Sequence, residues 1–206
     1  MLFAKVHLPM LDKAQATTDI LSVDRELWFW DPYRATLMLP LMTKGGQEKA
    51  NGASNGRQGN FEWTSYTPDI VKTWFDTIVF PWMGMPTRVM ALKTESNSSN
   101  KEHIDCDFNK MGTQQHKFRI VLHGSVATLY FKTSKGDVYV PAIEEPFIMD
   151  GSWPHGMNNS TDDFKLTLAA GAPWNGNDRY DNIDIMMNRS DHLMPKYIDQ
   201  YFNKPR

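Results

Sequence analysis

The sequence lacks the marks of several large protein classes. It holds a single cysteine, Cys106, in 206 residues. A lone thiol closes no internal disulfide, so burial must hold the fold together, and a reducing, cytoplasmic setting is expected. No apolar run approaches the roughly 20 residues that a membrane-spanning helix needs. The opening stretch MLFAKVHLPMLDKAQ breaks its apolar residues with Lys5, His7, Pro9 and Asp12, and does not read as a signal peptide. Neither sign of charge dominates, with 22 Lys and Arg against 24 Asp and Glu. Neither nucleic acid nor a membrane is therefore expected as a partner. Internal repeats and interdomain linkers are also missing, and the length suits one domain spanning 1–206.

What the chain does have is aromatic residues. Seven tryptophans and eleven phenylalanines are enough to build a core or to line a pocket. Leu2 to Leu8 reads as an edge strand and Asp12 to Val23 as a short helix. WFWDPYRA, from Trp28 to Ala35, reads first as core packing, with Trp28 and Trp30 as candidates for a substrate wall. The stretch from Lys44 to Asn60, with five glycines, is too polar to order itself by burial. It is expected as a surface loop, either a lid or a plain excursion. Thr67-Pro68 looks like a helix start, with Thr67 as cap, and the apolar spacing carries an amphipathic helix from Pro68 to Phe80, closed by Pro81. Thr87 to Thr94 reads as a strand and Glu95 to Glu102 as a loop.

Beyond that loop, short alternating segments follow one another closely: KFRIVLH, SVATLYFKT, DVYVP, PFIMD, HGMNN and DFKLTLAA. Turn signals at Gly124, Lys135-Gly136 and Gly151 separate them. Many short strands with tight turns indicate a mainly β fold, a barrel or jelly roll, with its core at about 85–171. N-terminal segments and a C-terminal helix, from about Asp191 to Phe202 with Ser190 as cap, are expected to pack around it.

Residues two apart in a strand share a face, so His103 and Asp105 of HID project together. With His155, at the end of DGSWPH, they offer two imidazoles and a carboxylate, a set that suits non-haem Fe(II) and leaves coordination positions open. Asp107 is the second choice of acid, and Cys106, of opposite parity, is expected to pack. In KFRIVLH, Phe118, Ile120 and Leu122 oppose Arg119, Val121 and His123. In FKLTLAA, Phe164, Leu166 and Leu168 oppose Lys165, Thr167 and Ala169, and in SVATLYF, Val126, Thr128 and Tyr130 share one face. A lone Lys or Arg on an inner face requires an anion, which a dicarboxylate cosubstrate would supply.

These residues resemble the Fe(II)- and 2-oxoglutarate-dependent dioxygenases of the double-stranded β-helix fold, over His103 to about Gly171. HID looks like their HxD strand and Asp150 to His155 like the turn bearing the distal ligand. Lys165 stands where they carry a basic residue about ten positions further on. The run from His155 through Lys165 is similar to aspartyl/asparaginyl β-hydroxylases, although those place Arg at that position and lack the acidic ligand. Lys there is more like the prolyl hydroxylases. The resemblance implies a cupin-like fold, Fe(II) held by His103, Asp105 and His155, and a hydroxylase that consumes 2-oxoglutarate and O₂. It implies Lys165 as cosubstrate anchor, with Arg119, Tyr130 or Thr128 beside it, and a peptide side chain or small molecule as substrate. Two other readings stay open: a cupin-like metalloprotein that does not use 2-oxoglutarate, and a metal-free jelly-roll binding protein.

Overall fold

A computed structural model describes residues 1–32, 34–47, 60–105, 116–171, 180–197 and 200. The centre of the Lys44 to Asn60 loop, Cys106, Asp107 and the last turn of the expected C-terminal helix, apart from residue 200, lie outside the described residues.

The described residues form two antiparallel sheets. The strands are β1 (Phe3–Val6), β2 (Phe29–Asp31), β3 (Thr36–Lys44), β4 (Phe61–Trp63), β5 (Val89–Thr94), β6 (Ser98–His103), β7 (His116–His123), β8 (Leu129–Thr133), β9 (Gly136–Tyr139), β10 (Phe147–Asp150), β11 (His155–Asn159), β12 (Lys165–Gly171) and β13 (Ile183–Met187). The larger sheet runs β13-β1-β10-β7-β12-β5-β3-β2, with β4 on β3, and the smaller runs β6-β11-β8-β9. From β5 to β12 the chain passes back and forth between the sheets, only the β8–β9 hairpin staying within one. This alternation is the winding of a double-stranded β-helix, so the architecture is the mainly β, jelly-roll one expected.

Strand alternation gives the larger sheet two unlike faces. On the outer face Phe118, Ile120, Leu122, Leu166, Leu168 and Ala170 join one apolar cluster with Leu37, Leu39 and Leu41. Helices cover that face. The helix α1 (Lys13–Leu21) is capped by Asp12, whose side chain accepts from the Gln15 N–H, and contributes Ala16 and Ile20. The second helical stretch opens as α2 (Asp69–Trp74), widens into a π turn over Phe75–Val79 and ends as α3 (Phe80–Met83). On the inner face a second cluster, including Phe3, Val121, Leu129, Phe131, Phe147 and Met149, joins the two sheets.

Several local expectations need correction. β1 lies inside the larger sheet rather than at its edge, between β13 and β10, and buries Phe3, Ala4 and Val6 fully. Thr67 does not cap α2; its hydroxyl donates to the Leu41 carbonyl and pins the helix start to β3. Pro81 does not end the helix, because the wider π turn before it takes up the missing N–H, and the stretch stops at Gly84, in the left-handed region at φ 83°. Glu95 to Glu102 is not all loop. Ser98–His103 pairs with β11 as an edge strand, half in water, which is why its residues are polar. β3 carried no strand signal because Pro40 sits within it, at a register shift against β5. The expected C-terminal helix is not found among the described residues: a 3₁₀ turn covers Arg189–Asp191, and 192–197 continue without helix.

Candidate metal centre

Pairing of β6 with β11 places His103 directly opposite His155. The strand ends there, and the Asp105 N–H donates to the Gly151 carbonyl at 2.7 Å, fixing the next turn against DGSWPH. His103, Asp105 and His155 thereby bring one ligand atom each within 4.8 Å of one another. His103 Nε2 lies 3.3 Å from Asp105 Oδ1, and His155 Nε2 lies 3.7 Å from Asp105 Oδ2. Two ligands at right angles, each about 2.1 Å from one ion, would stand about 3 Å apart, so small inward shifts complete the face.

Both imidazoles are oriented by the main chain. His103 Nδ1 donates to the Lys101 carbonyl at 2.7 Å and His155 Nδ1 to the Trp153 carbonyl at 2.8 Å. A carbonyl only accepts, so each Nδ1 carries a proton, and each Nε2 is turned toward the shared point. His155 Nε2 is buried without a hydrogen-bond partner, the state of a ligand atom facing a place for an ion. Burial, with the nearby His103, pushes the His155 pKa down to about 3, which keeps the ring neutral and able to ligate. Burial would push the Asp105 carboxyl up. The hydrogen bond and charge of His103, followed by Lys117 and His155, outweigh it and hold that carboxyl well below its ordinary range.

Lys165 enters the same interior from β12. Its side chain is 4 % exposed, and Nζ donates to Thr128 Oγ1 at 2.6 Å. Among the described residues no carboxylate pairs with it, and burial, then Arg119, lowers its pKa to about 7. Gly124, at φ 85°, permits this packing, since a Cβ there would lie 3.2 Å from the Lys165 Cα. Arg119 projects from the inner face of β7, with Nη2 3.9 Å from Asp105 Oδ2 and a buried Nε that has no hydrogen-bond partner.

The structure therefore brings His103, Asp105, His155, Arg119, Lys165 and Thr128 to one interior, and leaves Tyr130 out. Tyr130 faces away from His155, and its hydroxyl donates to Glu102 Oε1 at 3.1 Å. Burial, then the Glu102 charge, pushes that phenol up. The reason is local. Val126–Thr128 is a 3₁₀ turn rather than strand, so the alternation tying Thr128 to Tyr130 is broken. His123 lies at the rim, bonded to Asp163 Oδ2 at 2.6 Å and stacked on Phe164. Asn159 ties down the neighbouring loop through the Glu95 and Asp163 carbonyls, which is a turn role. Neither tryptophan named for a substrate wall lines the site: Trp28 packs in the outer core, and Trp30, opposite Leu37, is exposed.

Sequence reasoning missed Arg34 and Arg88. Arg34 follows β2, bonds Asp31 Oδ2 at 2.8 Å and reaches Asp105 Oδ1 with Nη2 at 3.6 Å. Arg88 precedes β5 with inner-face parity and is coupled by charge to Asp105 and Arg34. No local pattern marks either one. Their only signal is a basic residue beside an otherwise apolar segment.

No family model matches the sequence, and no curated protein matches it. Solved structures do. A prolyl-4-hydroxylase from Pseudomonas putida is 10 % identical, covering 82 % of this chain and 91 % of its own, with a TM-score of 0.50. OsALKBH1 is 13 % identical, over 82 % of this chain and 95 % of its own, at 0.51. An oxidoreductase of the 2OG-Fe(II) oxygenase family from Burkholderia pseudomallei is 11 % identical, over 82 % and 81 %, at 0.49. The chain shares the double-stranded β-helix fold of the prolyl-4-hydroxylase and of OsALKBH1.

Proposed function

We propose that this protein is a non-haem Fe(II) oxygenase that couples oxidative decarboxylation of 2-oxoglutarate to hydroxylation of a peptide side chain or small molecule. One observation carries the reading: an inward-facing set of two imidazoles and a carboxylate shares its interior with a buried ammonium that has no carboxylate partner among the described residues. A metal-free binding module has no need of either. The likeness in fold to a prolyl-4-hydroxylase supports it.

His103 Nε2, Asp105 and His155 Nε2 hold the metal, and the Lys101 and Trp153 carbonyls keep the two rings in the ligating tautomer. Lys165 takes the distal carboxylate of 2-oxoglutarate. Thr128 donates its own hydroxyl to the Ser125 carbonyl, so it receives one Lys165 N–H and leaves two for the cosubstrate. Arg119, at the metal end of the same face, meets the carboxylate beside the keto group. When bound, iron and 2-oxoglutarate supply the oxidation: with O₂ and substrate R–H they yield succinate, CO₂ and R–OH. Met38, Met90 and Val121, buried on the inner sheet face, keep bulk water out.

The test is anaerobic loading with Fe(II) followed by 2-oxoglutarate and O₂. Wild type is expected to bind one iron and to form succinate, and His155→Ala to lose metal affinity by roughly 100-fold or more, beyond the usual effect of outer-shell changes. Iron binding with no O₂-dependent succinate would favour a cupin-like metalloprotein of other activity.

A further inference from the structure

An irregularity in the smaller sheet stands beside the metal centre. Three pairs of β6 and β11 share one register, Ser98 with Asn159, Ser99 with Asn158 and Asn100 with Met157. Continued without a break, that register would set Glu102 opposite His155. His103 stands there instead, because Lys101 and Glu102 together face the single residue Gly156. The extra residue is a β-bulge, which re-aims the side chains beyond it. Without it, a one-residue slip would bring Glu102 to His155 and turn His103 to the other face.

β6 does little to keep the bulge by itself. Its residues are polar and half in water, and among the described residues it ends the sheet, pairing only with β11. Such a strand opens locally at small cost. The hold comes from the outer face. Tyr130 pairs with Gly156 and lies across it, since a Cβ on Gly156 would meet Tyr130 Oη at 2.6 Å and Cζ at 2.7 Å. The ring thereby reaches β6, where its hydroxyl donates to Glu102 Oε1 at 3.1 Å. Burial, then the Glu102 charge, pushes that phenol up, so it keeps its proton and stays a donor. Lys132 Nζ meets the same Glu102 oxygen at 3.2 Å and is itself held by Asp137 Oδ1 at 2.7 Å.

We propose that Tyr130, with Lys132, pins Glu102 to the outer face and so fixes the bulged register that sets His103 opposite His155. Tyr130 is a positioning residue: it lies on the face away from the ligands and acts through Glu102 on the strand that carries His103. The bulge also presents the Lys101 carbonyl to His103 Nδ1, at 2.7 Å, so one lock sets both the place and the orientation of the ring. Gly156 belongs to the lock, because a side chain there displaces the Tyr130 ring. The consequence for a metal rests on the metal-centre reading, whereas the register rests on the strand pairing alone.

Two measurements on the full chain test the lock, with Tyr130→Phe, Glu102→Ala, Glu102→Gln and Gly156→Ala variants checked for fold by circular dichroism. The first is proton–nitrogen NMR of the unliganded protein in alkaline buffer, where an imidazole is neutral, with the His103 ring assigned by its loss in His103→Ala. Wild type is expected to show the His103 proton on Nδ1 and a cross-strand contact from His103 to His155. Tyr130→Phe, Glu102→Ala and Gly156→Ala are expected to weaken that contact and to mix the His103 tautomers. His155, which bonds within its own turn, should keep its tautomer in all of them. The second measurement is anaerobic calorimetric titration with Fe(II). The same variants are expected to lose affinity by roughly 10- to 100-fold, the range for groups that orient a metal ligand. Glu102→Gln keeps the acceptor and should hold the wild-type value. Folded Tyr130→Phe and Glu102→Ala proteins with unchanged His103 signals and unchanged Fe(II) affinity overturn the lock, even if their melting temperatures fall. Displaced His103 signals in the variants of a chain that binds no Fe(II) as wild type would sustain the lock and remove the metal centre.

Discussion

The two faces of β7 and β12 are built from alternate residues of the same two strands, yet they obey different rules. Outward, Phe118, Ile120, Leu122, Leu166 and Leu168 are buried against helices in one apolar cluster. Inward, Arg119, Lys165 and Thr167 stand where a stability-driven fold would also place apolar groups. The outer face holds the sheet together. The inner face gives up stability to keep charges in a sparsely hydrated interior, which is the expected cost of a site prepared for a ligand.

Substitution on either face sharpens the contrast. On the outer face, Phe118→Ala is expected to destabilise the fold by about 3–5 kcal/mol, read from denaturant unfolding. The metal affinity of the molecules that remain folded should not change. On the inner face the sign reverses for stability. Lys165→Met removes a buried charge, and is expected to raise the melting temperature of the unliganded protein by about 2–4 °C, the equivalent of about 1 kcal/mol in a chain of this length. The same variant should raise the 2-oxoglutarate KM roughly ten- to hundredfold, the loss of one charge-assisted hydrogen bond, with iron binding intact. A fall in its melting temperature would erase the distinction between the faces.

The smallest effect is on pH. Lys165 has its pKa lowered to about 7 by burial and by Arg119, below its ordinary value of 10.5. Below pH 7 both folded and unfolded chains hold this proton and the burial penalty is present in full. Between pH 7 and 10.5 the unfolded chain binds more protons, so stability should rise with pH across that window. On the proposed role of Lys165 as anchor, binding of 2-oxoglutarate requires the ammonium, so its Kd should rise above pH 7 by up to about tenfold per unit. Titrating Kd against pH checks this, and Lys165→Met should flatten both trends.

Much of this contrast was legible before any coordinates. Two-residue alternation in KFRIVLH and FKLTLAA separates the faces, and the HID spacing with the basic residue ten positions past His155 points to one interior. The errors have physical causes. SVATLYFKT reads as unbroken strand, which turns Tyr130 inward with Thr128, whereas the 3₁₀ turn at Val126–Thr128 resets its parity. Glu95 to Glu102 reads as a loop because an edge strand half in water, as over Ser98–His103, needs no apolar residues. Arg34 escaped notice because its neighbours in sequence say nothing of Asp105, 71 positions later in the chain.

By itself, then, the order of residues determined whatever depends on neighbours within a few positions: which residues share a strand face, the helix capped by Asp12, and the pairing of imidazole with carboxylate at 103 and 105. Only tertiary structure decided that His155 faces His103 across a strand pair, and that Thr128 turns in to Lys165 while Tyr130 turns out. It alone gathered arginines from distant segments around one carboxylate. Local steric preference acts over a few bonds, while Coulomb interaction and close packing act between whichever groups the folded chain brings near.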